Sequence, residues 1–125
     1  MVAADLGTAL ATAIANRDEQ TLLGLFTPDV DFRGLTPGGF WEASTSDELV
    51  REILFTHWFK AADELRGVER LDEDSIGSRR KVTWRIAGTN ATGPFLVEQT
   101  AYFEVDGDRI SWIRVHCSGQ ILAEV

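Results

Sequence analysis

His57, Gln99 and Cys117 are the residues of this chain whose types could do chemistry. His57 follows Val50, Ile53 and Leu54 at helical spacing and is adjacent to Trp58, so an α-helix would point its imidazole toward the interior. An imidazole titrates near neutral pH and suits general acid–base work. The alternative is a core histidine hydrogen-bonded to backbone. Gln99 and Cys117 fall on the inward face of a long C-terminal hairpin. Gln99 either lines a pocket, as a donor to developing oxyanion charge, or is satisfied by a neighbouring helix. Cys117 is either a nucleophile with a nearby base or a small buried hydrophobe. Phe32, Trp41, Trp58, Trp84 and Val115 would complete an apolar wall, with Cys117 among them. Four tryptophans in 125 residues supply either a planar ligand site or simply large core side chains.

The hairpin that positions Gln99 and Cys117 is residues 94–119, PFLVEQTAYFEVDGDRISWIRVHCSG. Asp106-Gly107 between two β-rich runs is a strong hairpin signal. A three-residue loop, Val105–Gly107 or Asp106–Asp108, puts Phe95, Val97, Gln99, Ala101, Phe103, Ser111, Ile113, Val115 and Cys117 on one face. Leu96, Glu98, Thr100, Tyr102, Glu104, Ile110, Trp112, Arg114 and His116 share the other. The first face reads as core or pocket wall. The second mixes large apolar groups with charges, and Arg114 falls across from Glu98 or Thr100. Tyr102, Ile110, Trp112, Arg114 and His116 are therefore expected to form a homodimer interface through the outer face of the sheet.

Upstream, residues 3–16 and the run through Leu22, Leu23, Leu25 and Phe26 read as two helices, the second ended by Pro28. Asp29–Arg33 alternates as a strand, Thr36-Pro37-Gly38-Gly39 is a turn, and Phe40-Trp41-Glu42 starts a return strand. Thr45 and Glu48 stand three apart before an apolar run, as in a capping box, and open a third helix to about Lys60. Strands follow at about 65–76, 79–89, 95–105 and 109–118. Arg79-Arg80-Lys81 reads as a solvated strand start. This order predicts one α+β domain over 1–125, with three helices packed on a curved, mostly antiparallel sheet around an interior cavity.

The totals exclude several classes. Asp and Glu outnumber Lys and Arg by 20 to 12, for a net charge of −8, which disfavours nucleic acid and anionic membrane surfaces. A lone cysteine cannot form an internal disulfide and fits a reducing compartment, so the expectation is a cytoplasmic protein. No apolar run reaches the roughly 18–20 residues of a membrane span, and Asp5 without a basic segment does not read as a signal peptide. No metal site is expected, because the two histidines fall on different faces. No cofactor is expected either.

The element order, with Phe26-Thr27-Pro28-Asp29-Val30 leading into the first strand and Val105-Asp106-Gly107-Asp108-Arg109-Ile110 in the last hairpin, resembles the nuclear-transport-factor-2-like (NTF2-like) superfamily, and within it the SnoaL-like proteins. The resemblance implies a cone-shaped α+β barrel, an internal pocket and sheet-to-sheet dimers. Its members include polyketide cyclases, ketosteroid isomerase, scytalone dehydratase, limonene-epoxide hydrolase and non-enzymatic adaptors. Their catalytic residues do not carry over. The cyclase and epoxide-hydrolase Asp corresponds to Val115, the epoxide-hydrolase Arg and Asp to Trp84 and Ile86, and the isomerase base lies near Gly34. The ending Trp112–Gly119 looks like a SnoaL-like branch for which the resemblance supplies no mechanism. What it implies is a small-molecule-binding protein. That protein would be either a cofactor-independent cyclase, isomerase or dehydratase acting on an apolar carbonyl compound, or a non-catalytic binding or interaction module.

Overall fold

Helices α1 (Leu6–Ala15) and α2 (Glu19–Leu25) begin the computed structural model, which describes residues 6–123. The start expected for the first helix at 3–5 lies outside the described residues. Leu6, Leu10, Ala13 and Ile14 form the buried stripe of α1, as their spacing requires. Asp18 caps α2, accepting from the Thr21 hydroxyl at 2.6 Å and the Thr21 backbone N–H at 3.2 Å. Both bonds, the hydroxyl first, hold the Asp18 carboxyl below its ordinary value. The cap is therefore complete at neutral pH and is lost as pH falls through that lowered value.

α2 stops before Pro28. Phe26 is already extended at φ −107°, ψ 150°, and strand β1 runs Phe26–Thr36 through the proline. Pro28 sits where the register of β1 against its neighbour shifts, between Phe26 and Asp31. A residue without an N–H is tolerated where the ladder is already interrupted.

β2 (Gly39–Ala43) returns antiparallel to β1 and leads to α3 (Glu48–Trp58). The Thr45 hydroxyl accepts the Glu48 N–H at 3.1 Å, and the Glu48 carboxylate accepts the N–H of Ser44 at 3.0 Å, one residue earlier than a capping box would have it. An α-type turn, with the Leu49 N–H on the Thr45 carbonyl at 3.1 Å, leads into α3, which is wound as a π-helix over its whole length and closed by the Phe59 N–H on the Leu54 carbonyl at 2.7 Å. That wider winding decides which side chains face inward. An α-helical turn would align Val50, Ile53, Leu54, His57 and Trp58. The longer turn buries Leu49, Val50, Ile53, Leu54 and Phe59, and leaves His57 exposed.

Strands β3 (Glu64–Ile76), β4 (Arg79–Asn90), β5 (Gly93–Asp106) and β6 (Arg109–Cys117) form an antiparallel meander. A short strand not expected from the sequence, β7 (Ile121–Leu122), also pairs with β5. The sheet order is β2-β1-β6-β5-β4-β3, with β1 parallel to β6 and the other neighbours antiparallel. The three expected helices and the mostly antiparallel sheet are thus present. β2 and β3 remain as edges, so the cone is open.

The last hairpin turns more tightly than expected. Asp106 pairs with Arg109 across Gly107-Asp108, and Gly107 has φ +68°, which suits the first position of a two-residue turn. Val105 then pairs with Ile110, while Glu104 pairs with Trp112, so Ser111 is a one-residue bulge. From Trp112 onward the faces are those expected. Before the bulge the parity is reversed. Ile110, expected on the outer face, is fully buried beneath the sheet.

The outer face is a lattice of charges over rings. Arg79 pairs with Glu104 at 2.8 Å, Arg85 with Glu98 at 2.8 Å, and Arg114 with Asp31 at 3.1 Å. The Arg79 and Arg114 guanidinium groups stand 4.1 and 4.3 Å from the Trp112 ring centre, and Lys81 lies 5.8 Å from that of Tyr102. Arg79 is therefore engaged rather than simply solvated. Arg114 lies across from Tyr102, because the tight turn and bulge displace the register from the one expected.

Candidate functional site

A cleft of about 660 Å³ opens at the mouth of the cone. Its walls are the β1–β2 turn with Trp41, the end of α3 with the loop to Asp63, the β4–β5 turn at Asn90–Thr92, and the segment Cys117–Gln120 after β6. Val97 and Gln99 of β5 form its base. Two polar clamps hold these walls. The Arg17 guanidinium donates to the carbonyls of Phe59, Lys60 and Asp63 at 2.7, 2.6 and 2.8 Å, which fixes the loop after α3. The Gln120 amide donates to the Trp58 carbonyl at 3.2 Å and the Asp63 carboxylate at 2.9 Å, and its own carbonyl accepts from Asn90 at 3.0 Å.

Five expected site residues meet here: Trp41, His57, Trp58, Gln99 and Cys117. The His57 and Trp41 rings stack with centroids 5.0 Å apart at 35°. Trp41 is held in place by its indole N–H, which donates to the Thr36 hydroxyl at 3.0 Å. His57 is thus neither interior nor tied into the core; the wider turn of α3 sets it on the rim of the cleft. Gln99 is 0% exposed. Its carbonyl accepts the Trp84 indole N–H at 2.9 Å, and its amide donates to the Cys117 sulfur at 3.3 Å, which also accepts the Gly119 N–H at 3.4 Å. Gln99 stands at the base of the cleft and is satisfied, by Trp84 and Cys117 rather than by a helix.

Phe32, Trp84 and Val115 lie deeper. With Trp58 and Gln99 they line a space of only about 10 Å³ beneath the cleft, so core side chains fill the expected deep pocket. Trp58 takes much of the room. A Cβ on Gly34 would stand 2.7 Å from its Cη2 atom, so the position near which the isomerase base would lie is occupied by an indole. Val115, Trp84 and Ile86 are all buried apolar residues at the other positions where the resemblance would place an acid or an arginine.

Of the expected interface residues, Tyr102, Trp112 and Arg114 are half-buried on the outer face and His116 is exposed; Ile110 is in the core. The loop residues Lys60, Asp63, Asn90, Thr92 and Gln120 also form cleft walls and were not legible as such in the sequence. In sequence they are polar groups near turns, and nothing local says that four separate segments converge. Among the described residues, no group of three His, Cys, Asp or Glu side chains is placed to hold a metal ion, and no helix is long and apolar enough to cross a membrane.

No protein-family model and no curated protein matches this sequence. Solved structures match the fold over nearly the whole chain. An NTF2-like protein from Burkholderia thailandensis superposes with a TM-score of 0.69 at 18% identity, covering 94% of this chain and 92% of its own. A protein of ketosteroid isomerase-like fold from Catenulispora acidiphila, in complex with trimethylamine, gives 0.71 at 17% identity over 91% and 85%. An LEH-like epoxide hydrolase from M. tuberculosis gives 0.66 at 18% identity over 93% and 82%. The protein has the NTF2-like fold, as the resemblance of its sequence implied. That fold hosts several chemistries, so function must be argued from the cleft.

Proposed function

We propose that the protein binds a small, planar, largely apolar organic molecule in the mouth cleft. The observation that carries this reading is a concave space of about 660 Å³ with the stacked Trp41–His57 pair in its wall. Concave clefts of this size are the usual form of small-molecule sites, and this one sets Trp41, Trp58 and Val97 beside polar groups such as Lys60, Asp63 and Asn90. A second reading is catalysis, favoured by one observation: the His57 side chain is exposed in that cleft. The reaction would be cofactor-independent proton transfer in the cyclisation, isomerisation or dehydration of a carbonyl compound, with His57 as acid or base. The non-catalytic reading is the stronger, because the Gln99 amide is already engaged by Trp84 and Cys117.

Planar hydrophobic probes are expected to quench tryptophan fluorescence in a saturable way; wild-type protein that binds none of them would overturn the reading. His57→Ala should weaken probe binding severalfold and leave stability within about 0.5 kcal/mol, because the side chain is exposed. Lowered stability with unchanged binding would return His57 to a purely structural role. A catalytic His57 would show instead as a loss of about 10²–10⁴ in turnover of a carbonyl substrate.

The protein is further proposed to be a cytoplasmic homodimer through the outer face of the sheet. Tyr102 and Trp112 are only half-buried there, and the face continues past His116 to Leu35 and Phe40, 53% and 54% exposed and paired in register. Large apolar groups left exposed beside paired charges on one face support an interaction surface. Trp112→Glu is expected to give monomers in sedimentation. A wild-type protein that sediments as a monomer at micromolar concentration would rule the dimer out.

A further inference from the structure

Trp58 and Gln99 line both the mouth cleft and the small space beneath it, and so form the partition between the two. Gln99 is bonded at both ends of its amide. Trp58 is not. Its ring packs against Phe32, with centroids 5.8 Å apart, and fills the room left by Gly34, while its indole N–H is buried without a hydrogen-bond partner among the described residues. A buried donor without an acceptor is disfavoured, because the water it gave up has not been replaced. The space beneath, about 10 Å³ and walled mostly by apolar side chains, is at the lower limit for one water and lacks the polar partners to hold it. The space beneath therefore offers the donor no acceptor, and the cleft is the open space on the other side of the partition.

Three of the polar groups in the cleft wall are already engaged. Thr36 takes the Trp41 N–H, Trp84 donates to the Gln99 carbonyl, and Gln120 donates to the Asp63 carboxylate. What remains is a donor in need of an acceptor, beside an aromatic stack. We propose that the ligand is a planar ring compound bearing a neutral carbonyl oxygen, and that this oxygen accepts the Trp58 indole N–H while the ring packs near Trp41 and His57. The inference rests on the reading that the cleft binds a small organic molecule. A neutral carbonyl fits better than a carboxylate, because Asp63 and Lys60 stand in the same wall with opposite charges and so offer no net countercharge, and the chain carries a net charge of −8. On binding, the indole turns from Gly34 toward the cleft and brings its N–H to the surface.

The test uses 1-indanone and indane, which share a planar bicyclic frame and differ at the ketone, titrated into protein labelled with ¹⁵N at its tryptophans. 1-Indanone is expected to bind about fivefold tighter than indane, the scale of one net hydrogen bond, and to move the assigned Trp58 indole N–H resonance downfield. Indane should bind without that shift. Trp58→Phe, which keeps an aromatic ring and removes the donor, should make the two affinities equal; if that variant does not fold, the wild-type resonance decides alone. Equal affinities in the wild type, an unmoved Trp58 resonance, or a ketone preference that survives Trp58→Phe would each overturn the inference while leaving ligand binding in place. Failure of both compounds to bind would overturn the binding reading and this inference with it.

Discussion

Ile110→Asp is expected to unfold the protein at room temperature, whereas Ser111→Asp, one residue on, should melt within about 1 kcal/mol of wild type. Ile110 is 0% exposed, and Ser111 is the half-buried residue at the bulge. A carboxylate at 110 would be buried among apolar groups, a change that costs more than about 4 kcal/mol against a total stability of about 5–15 kcal/mol. Urea denaturation followed by circular dichroism measures both variants. The contrast tests the bulge itself, since an uninterrupted strand would put Ile110 on the outer face and Ser111 in the core. A stable Ile110→Asp beside a collapsed Ser111→Asp would show that the strand runs without a bulge.

The second large effect is expected at Trp84. Trp84→Ala removes a side chain that is 1% exposed and should cost about 3–5 kcal/mol from the cavity alone. It also strands the Gln99 carbonyl, which accepts the Trp84 N–H at 2.9 Å. A buried acceptor left without a partner adds about 1–3 kcal/mol. Trp84→Phe retains an aromatic ring and loses the hydrogen bond, so it should fall between wild type and Trp84→Ala, about 1–3 kcal/mol below wild type. Paired denaturant melts of the two variants separate the hydrogen bond from the packing. Trp84→Phe as stable as wild type would mean that the Gln99 carbonyl finds another donor and that the base of the cleft does not depend on this bond.

Most of the architecture was legible because burial imposes a period on sequence. The inward set Phe95, Val97, Gln99, Ala101 and Phe103 alternates strictly, and each of these residues is buried. The four meander strands and their turns follow from the same alternation, and the cone that they and the helices build was expected from their order. Two local departures were not legible. The turn at Gly107-Asp108 together with the bulge at Ser111 differs from a three-residue loop only in where the extra residue sits, and both readings put Trp112 onward on the same faces. In α3 the apolar residues fit a 3.6-residue turn with His57 inside about as well as a wider turn with Phe59 inside. The second wins because Phe59 is the larger apolar group to bury, and because Arg17 holds the Phe59 carbonyl at the end of the helix.

The cleft belongs to the tertiary structure. Trp41, His57, Trp58, Gln99 and Cys117 were each identifiable from residue type and face, because patterning assigns a side chain to the inside or the outside of its own element. Whether they share one space depends on how far the sheet curls, on Trp58 filling the gap at Gly34, and on clamps from Arg17 and Gln120 to carbonyls far away in the chain. Those contacts span 42 to 62 residues and leave no periodic trace in sequence. The chain by itself determined an apolar interior with a few polar groups at its mouth; only the folded packing decided that the deep part would be filled and the mouth left open.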